Sequence, residues 1–135
     1  MSGYSGTPLA KKLGYKADFR AYVKNSPDAY LELLSPLPER VTFIKRLSVD
    51  IDLIHVFSKQ RAELESLLPQ YLERMKQSGM IWVSWPKKSS KVETDITENT
   101  VREVALPLGL VDVKVCAVDD VWSGLKLVIR KENRR

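Results

Sequence analysis

The chain has 135 residues, an apolar share of 44%, and 22 basic against 17 acidic side chains, for a formal charge of +5. That length and composition fit one domain with a true core and exclude disorder as the default. A single cysteine, Cys116, and a single histidine, His55, exclude an internal disulfide framework and a His/Cys metal cluster. The start, Met1 to Gly6, is small and polar and lacks the apolar run of a secretory signal. No apolar stretch approaches the roughly 20 residues that span a bilayer, so a cytoplasmic protein without a membrane partner is expected. The basic excess invites a nucleic-acid partner, since lysine and arginine facing phosphates release counterions. A mixed, solvated surface with basic loops accounts for it as well and is the preferred reading.

In chain order, Thr7-Pro8 is a helix-start pair, Leu9, Ala10 and Leu13 form a short apolar face, and Gly14 supplies a stop. Residues 18–24 alternate, with Phe19, Ala21 and Val23 on one side of a strand. Ser26-Pro27 opens a second short helix with Tyr30, Leu31 and Leu34 inward, ended by Pro36 and Pro38. Val41 to Ile44 is a short strand. Ile51 to Phe57, apolar on both faces, reads as the covered centre of a sheet.

Lys59 to Gln77 follows with Leu64, Leu67, Leu68, Tyr71, Leu72 and Met75 at helical spacing, interrupted at Pro69, where a kink or two short helices are expected. Gly79 releases the chain into a buried strand to Trp85, which stops at Pro86 and opens into a basic, hydroxyl-rich loop through Lys91. Asp95 or Thr97 caps a helix through Leu106, ended by Pro107 and Gly109. Val111, Val113, Val115 and Ala117 alternate with Asp112, Lys114 and Cys116 as a half-covered strand. After a turn at 119–124, Leu125, Leu127 and Ile129 form a last strand, antiparallel to the previous one, and Arg130 to Arg135 is a charged tail.

Alternation of strands and helices predicts a mostly parallel sheet covered on both faces, a three-layer Rossmann-like sandwich ending in an antiparallel hairpin. One domain over 1–135 is expected, with 1–6 and 131–135 flexible. From Asp50 onward the layout resembles the second half of a class I S-adenosylmethionine-dependent methyltransferase, with Ser78-Gly79-Met80-Ile81-Trp82-Val83 at the glycine turn and fifth strand. The whole chain also resembles a family of small bacterial proteins classed as a domain of unknown function. Ser2-Gly3-Tyr4-Ser5-Gly6-Thr7-Pro8-Leu9, Trp85-Pro86-Lys87-Lys88-Ser89, residues 101–115 and Trp122-Ser123-Gly124-Leu125-Lys126 carry that resemblance. It implies a degenerate methyltransferase-like fold and brings no activity with it.

The first strand supplies the decisive negative. A cofactor loop needs glycine after that strand, so that backbone approaches the ligand without a Cβ in the way. Here the strand runs into Lys24-Asn25-Ser26-Pro27-Asp28-Ala29, and no glycine lies between Gly14 and Gly79. No cofactor is therefore expected. Asp50 and Asp52 are acids of the kind that grip a ribose, but they read as strand-entry residues. Ser84-Trp85-Pro86-Lys87 matches a Ser-x-x-Lys pattern, but that chemistry wants its serine at a helix start, and here the serine lies on a strand. His55, inside an apolar strand, reads as a hydrogen-bonded structural histidine, Cys116 as a packed thiol, and Trp82 as covered by a helix.

Candidate ligand-binding residues are Trp85, Lys87, Lys88, Ser89, Ser90, Lys91, Trp122 and Ser123, which would gather ammonium groups, hydroxyls and aromatic rings at the carboxyl end of the sheet if the Trp122 turn lies at that end. No catalytic group set is legible. The expectation is a non-catalytic binding or regulatory domain with an anionic small molecule or a protein as partner, a homodimer being compatible. An atypical methyltransferase-like enzyme and a nucleic-acid binder using residues 87–91 and the tail are the alternatives.

Overall fold

The structure, a computed structural model, describes residues 7–135; residues 1–6, with the expected flexible start and part of the family resemblance, lie outside the described residues. Strands β1 (Arg20–Lys24), β2 (Thr42–Ile44), β3 (Ile51–Phe57), β4 (Met75–Pro86), β5 (Leu110–Ala117) and β6 (Trp122–Ile129) form one sheet. Its order is β2-β1-β3-β4-β6-β5. The β1–β2, β1–β3 and β3–β4 pairs are parallel, and β6 runs antiparallel to both β4 and β5. From β1 the chain steps outward to β2, then returns past β1 to lay down β3 on its other side. That reversal creates a switch point between β1 and β3, where the carboxyl ends of two strands part and leave a crevice.

Helices cover both faces, as the alternating pattern predicts. Helices α1 (Leu9–Leu13) and α2 (Tyr30–Leu34) bury Ala10, Leu13, Tyr30 and Leu34 against Leu53, Phe57 and Trp82. On the other side, α3 (Arg61–Arg74) and α4 (Glu98–Ala105) set Leu64, Leu68, Tyr71, Val101 and Val104 against Ile54, Val56, Ile81, Leu125 and Leu127. Burying each such aliphatic side chain contributes about 1.5–3 kcal/mol relative to leaving it exposed. Strand β3 serves both cores because successive side chains alternate across the sheet.

Local signals account for the helix ends. Gly14, at φ +91°, closes α1 by donating its N–H to the carbonyls of Ala10 and Lys11. Thr97 caps α4 in a reciprocal arrangement with Thr100, each side chain accepting from the other's backbone N–H. Asp95 instead serves α3, its carboxylate accepting from the Arg61 N–H at 2.7 Å.

Several expectations need correction. Helix α1 starts at Leu9 with Pro8 as its cap, and the Thr7 side chain makes no capping bond. Leu31 is 58% exposed, because a helix of little more than one turn buries only Tyr30 and Leu34 of its four apolar residues. Helix α3 is one continuous helix through Pro69 and passes into β4 at Met75 without a linker. Pro69 lies on the exposed face, as does Glu65, whose carbonyl it cannot serve. Gly79 falls inside β4, where a Cβ would sit 3.0 Å from the carbonyl oxygens of Ile51 and Lys76. The alternation along β5 breaks: Val113 and Val115 are about half exposed while Cys116 is buried, because Val113 is an extra residue in the register. The tail residues, whose expected flexibility is a separate matter, make two bonds to the Gly109 carbonyl, from the Arg130 N–H and the Asn133 amide.

The α1/α2 core contains a polar chain. Tyr15 Oη lies 2.8 Å from Tyr30 Oη, Tyr30 Oη 2.7 Å from His55 Nδ1, and His55 Nε2 2.8 Å from Ser84 Oγ. His55 and Ser84 are wholly buried. A neutral imidazole offers one donor and one acceptor, so a single proton order along the chain satisfies every member. Burial keeps the Tyr15 and Tyr30 hydroxyls protonated and pulls the His55 pKa down to about 3 from an ordinary 6.5.

Two outcomes follow from this packing. Between those His55 values the unfolded chain holds the extra proton, so the folded state loses stability as pH falls below about 6.5, at up to ~1.4 kcal/mol per unit. Urea unfolding at neutral and at acid pH should show the gap between the native protein and His55→Gln narrowing on acidification; a constant gap would contradict this assignment. The hydroxyls of Tyr30 and Tyr71 should also behave oppositely. Tyr71 Oη is buried with no partner among the described residues, so Tyr71→Phe is expected to be neutral or stabilising, whereas Tyr30→Phe orphans its neighbours and costs about 1–3 kcal/mol.

Candidate functional site

The switch-point crevice opens outside the carboxyl ends of β1 and β3. Asn25, Phe57, Ser58, Lys59, Gln60, Glu63 and Trp122 line a cavity of about 360 Å³ there. Asn25 follows β1 directly and adopts φ +61°, a left-handed conformation that asparagine tolerates better than other side-chain-bearing residues. This turn aims its amide across the gap, where Nδ2 donates to the Phe57 carbonyl at 3.3 Å and reaches Glu63 Oε2 at 3.5 Å. Ser58 directly follows β3 and donates its hydroxyl to Glu63 Oε1 at 2.5 Å, while its oxygen accepts from the Gln60 N–H at 3.3 Å. Glu63, in the first turn of α3, thus ties together the exits of two strands.

Trp122 forms the opposite wall. Its ring meets Phe57 edge to face, centroids 5.1 Å apart. Of the three tryptophans it is the half-buried one; Trp82 and Trp85 are in the core. A second, larger depression of about 550 Å³ lies beyond the β3–α3 turn, lined by Lys59, Gln60 and residues 92–95. Thr94 Oγ1 and the Asp95 N–H both donate to the Lys59 carbonyl there, at 2.7 and 3.2 Å.

The register fixes the position of the Trp122 turn, which the sequence leaves open. Pro86 pairs with Trp122, Trp85 with Ser123, and the Lys87 N–H donates to the Val121 carbonyl at 2.7 Å. Basic loop and aromatic turn therefore share one edge of the sheet. Within the loop, residues 88–90 form a single tight turn. Ser90 is spent locally, its hydroxyl donating to the Lys87 carbonyl at 2.6 Å and accepting from the Val92 N–H. Lys88, Ser89 and Lys91 are exposed. Trp85, 7% exposed, faces the α3/α4 core, and Ser123 is half-buried on β6. Of the eight residues singled out from sequence, only Trp122 lines either cavity.

Asn25, Ser58 and Glu63 escaped the sequence reading because their meeting depends on strand order. Asparagine at a strand exit was the one local signal. Among the rest, Trp82 donates its indole N–H to the Leu13 carbonyl at 2.7 Å, and burial raises the Cys116 thiol pKa. Asp52, at the amino end of β3, accepts from the Arg20 N–H and pairs with Lys76 at 3.0 Å. With Asp50 it stands at the edge opposite the crevice, so neither acid can reach a ligand there. No group of metal-ligating residues occurs among the described residues, and no helix among them is long and apolar enough to cross a membrane.

The crevice does not fit the nucleoside cofactor that such a layout implies. The exit of β1 carries Asn25 where glycine would admit the ligand, and the exit of β2 presents Lys45 and Arg46 where a ribose-binding acid would be required. Replacement of Asn25 tests how far its conformation holds the exit closed. Asn25→Ala is expected to lose about 1–2 kcal/mol through the φ penalty and the lost amide bonds, and Asn25→Gly to recover most of the conformational part. Denaturant midpoints for the two variants measure the difference.

No family model matches the chain, and no curated protein matches it. Solved structures do. The chain is similar to precorrin-6y C5,15-methyltransferase from Geobacter metallireducens GS-15, at 12% identity and TM-score 0.60 over 90% of this chain and 85% of that one. It is similar to a SAM-dependent methyltransferase from Aquifex aeolicus, at 11% identity and TM-score 0.60 over 90% and 88%. It is also similar to ribosomal protein L11 methylase from Lactobacillus delbrueckii subsp. bulgaricus, at 12% identity and TM-score 0.55 over 90% and 75%. At these identities the likeness is one of fold: a methyltransferase-like Rossmann sheet.

Proposed function

We propose that the chain is a non-catalytic binding domain on a methyltransferase-like fold, which takes an anionic small molecule or a protein segment at the carboxyl edge of its sheet. The observation that supports this reading is the Asn25 amide, which spans from the exit of β1 to Phe57 and Glu63 where a cofactor loop would have to open. The space that remains beside it has an aromatic wall in Trp122, a carboxylate already engaged by Ser58, and Lys59 at the rim. The exposed Lys88 and Lys91 lie on the same edge and would draw anions toward it. The Ser58–Glu63 hydroxyl–carboxylate pair is engaged on both sides, the carboxylate by the Asn25 amide and the serine oxygen by the Gln60 N–H, which supports recognition as the function.

Thermal unfolding in the presence of S-adenosylmethionine tests the reading. A ligand at 100 times its dissociation constant adds about 2.7 kcal/mol of stability, and none is expected here at millimolar concentration. A clear rise in melting temperature, lost in a variant that fills the crevice such as Ser58→Phe, would replace the proposal with an atypical S-adenosylmethionine-dependent enzyme.

A further inference from the structure

A second site lies away from the crevice, where the β5–β6 hairpin meets α1. Asp112 pairs with Leu127, yet Lys114 pairs with Lys126, so Val113 is a bulge with no cross-strand partner. In an uninterrupted strand, residues two apart share a face, and Lys114 would follow Asp112 to the α4 side. There Asp112 already takes the Arg102 guanidinium at 2.9 Å. The bulge shifts the phase and delivers Lys114 to the α1 side, directly opposite Lys126. Like charges directly opposed on neighbouring strands destabilise a sheet.

More positive charge converges on the same place. Lys114 Nζ donates to the Lys12 carbonyl at 3.1 Å, at the end of α1. A groove of about 520 Å³ beside it is lined by Lys11, Lys12 and Lys114, with the Thr7 residue at its margin and Cys116 buried beneath. The Lys126 ammonium is held below its usual pKa first by burial and then by Lys114 and Lys16. No ion pair among the described residues engages Lys16, Lys114 or Lys126; the carboxylates pair with Arg40, Arg61, Lys76 and Arg102 elsewhere. The Lys12 carbonyl offsets the Lys114 ammonium in part, while Lys114 and Lys16 still act repulsively on Lys126.

We propose that this groove binds a compact polyphosphate group, such as the triphosphate chain of a nucleotide, which bridges Lys114 and Lys126 and is gripped from α1 by Lys11 and Lys12. A cluster that converges on a short groove suits adjoining phosphates, whereas a nucleic-acid backbone needs cations spread along a stripe. The bulge is then the device that places the central lysine, and anion binding relieves the repulsion it creates.

Inorganic triphosphate is the probe, titrated calorimetrically at low salt against the whole chain. Binding is expected to weaken steeply as salt rises and by tenfold or more in Lys114→Gln, while Arg74→Gln, on the other face, leaves it unchanged. Without ligand, Lys114→Gln should melt at or above the temperature of the native protein, since it removes a repulsion; a lower melting temperature would make Lys114 structural and overturn the proposal. Lys114 is exposed, which makes its variant safe for folding, and Lys126→Gln provides the second arm. The proposal also fails if triphosphate does not bind at millimolar concentration, if sulfate binds equally well, or if a single-stranded oligonucleotide binds more tightly and loses that binding in Lys114→Gln.

Discussion

His55 is the point at which the α1/α2 layer is locked to the sheet. It sits at the centre of β3, with no contact to solvent, and both its ring nitrogens are bonded: one to Tyr30 on α2, the other to Ser84 on the neighbouring strand. Apolar packing alone would let α1 and α2 slide over the sheet with small energetic consequence. A buried polar chain that is satisfied only in one arrangement removes that freedom, because each displaced member would be left unpaired in a medium of low dielectric. The placement of α2 in turn fixes the loop that leaves β1, and therefore the position of Asn25. Trp82, donating to the end of α1, does the same for the first helix. The polar residues buried in this core thus set the geometry of the crevice from beneath.

The elements that the sequence made legible are those whose signal is local. Strand β3 is bounded as its apolar run predicts, Gly14 ends α1, and Thr97 begins α4. What escaped were features that depend on which segments become neighbours. The valines of β5 read as a covered face, but a single unpaired residue reverses the phase halfway along the strand, and no pattern in one strand reveals its partner's register. The crevice was hidden for the same reason. Asn25, Ser58 and Glu63 come from three segments, and the residues that announced themselves, the lysines and serines of 87–91, form a tight surface turn beside it.

The strand layout is methyltransferase-like, while the exit of β1 carries an asparagine that reaches across to β3 and the exit of β2 carries the basic pair Lys45 and Arg46. The contacts at the crevice hold the sheet together in their own right: the Asn25 amide ties two strands, and Glu63 joins Ser58 to the start of α3. Frame and site answer to separate requirements, so a sheet of this kind can be kept while its ligand changes.

The bulge at Val113 has a second effect, on how copies of this chain meet one another. A sheet of six strands has two open edges, and an edge with unpaired backbone groups is a template for further pairing. One edge here is β2, only three residues long. The other is β5, whose ladder is broken at Val113 and whose exposed stretch carries the Lys114 charge. Neither offers an incoming strand a long straight run of donors and acceptors, which raises the cost of open-ended stacking at both ends of the sheet.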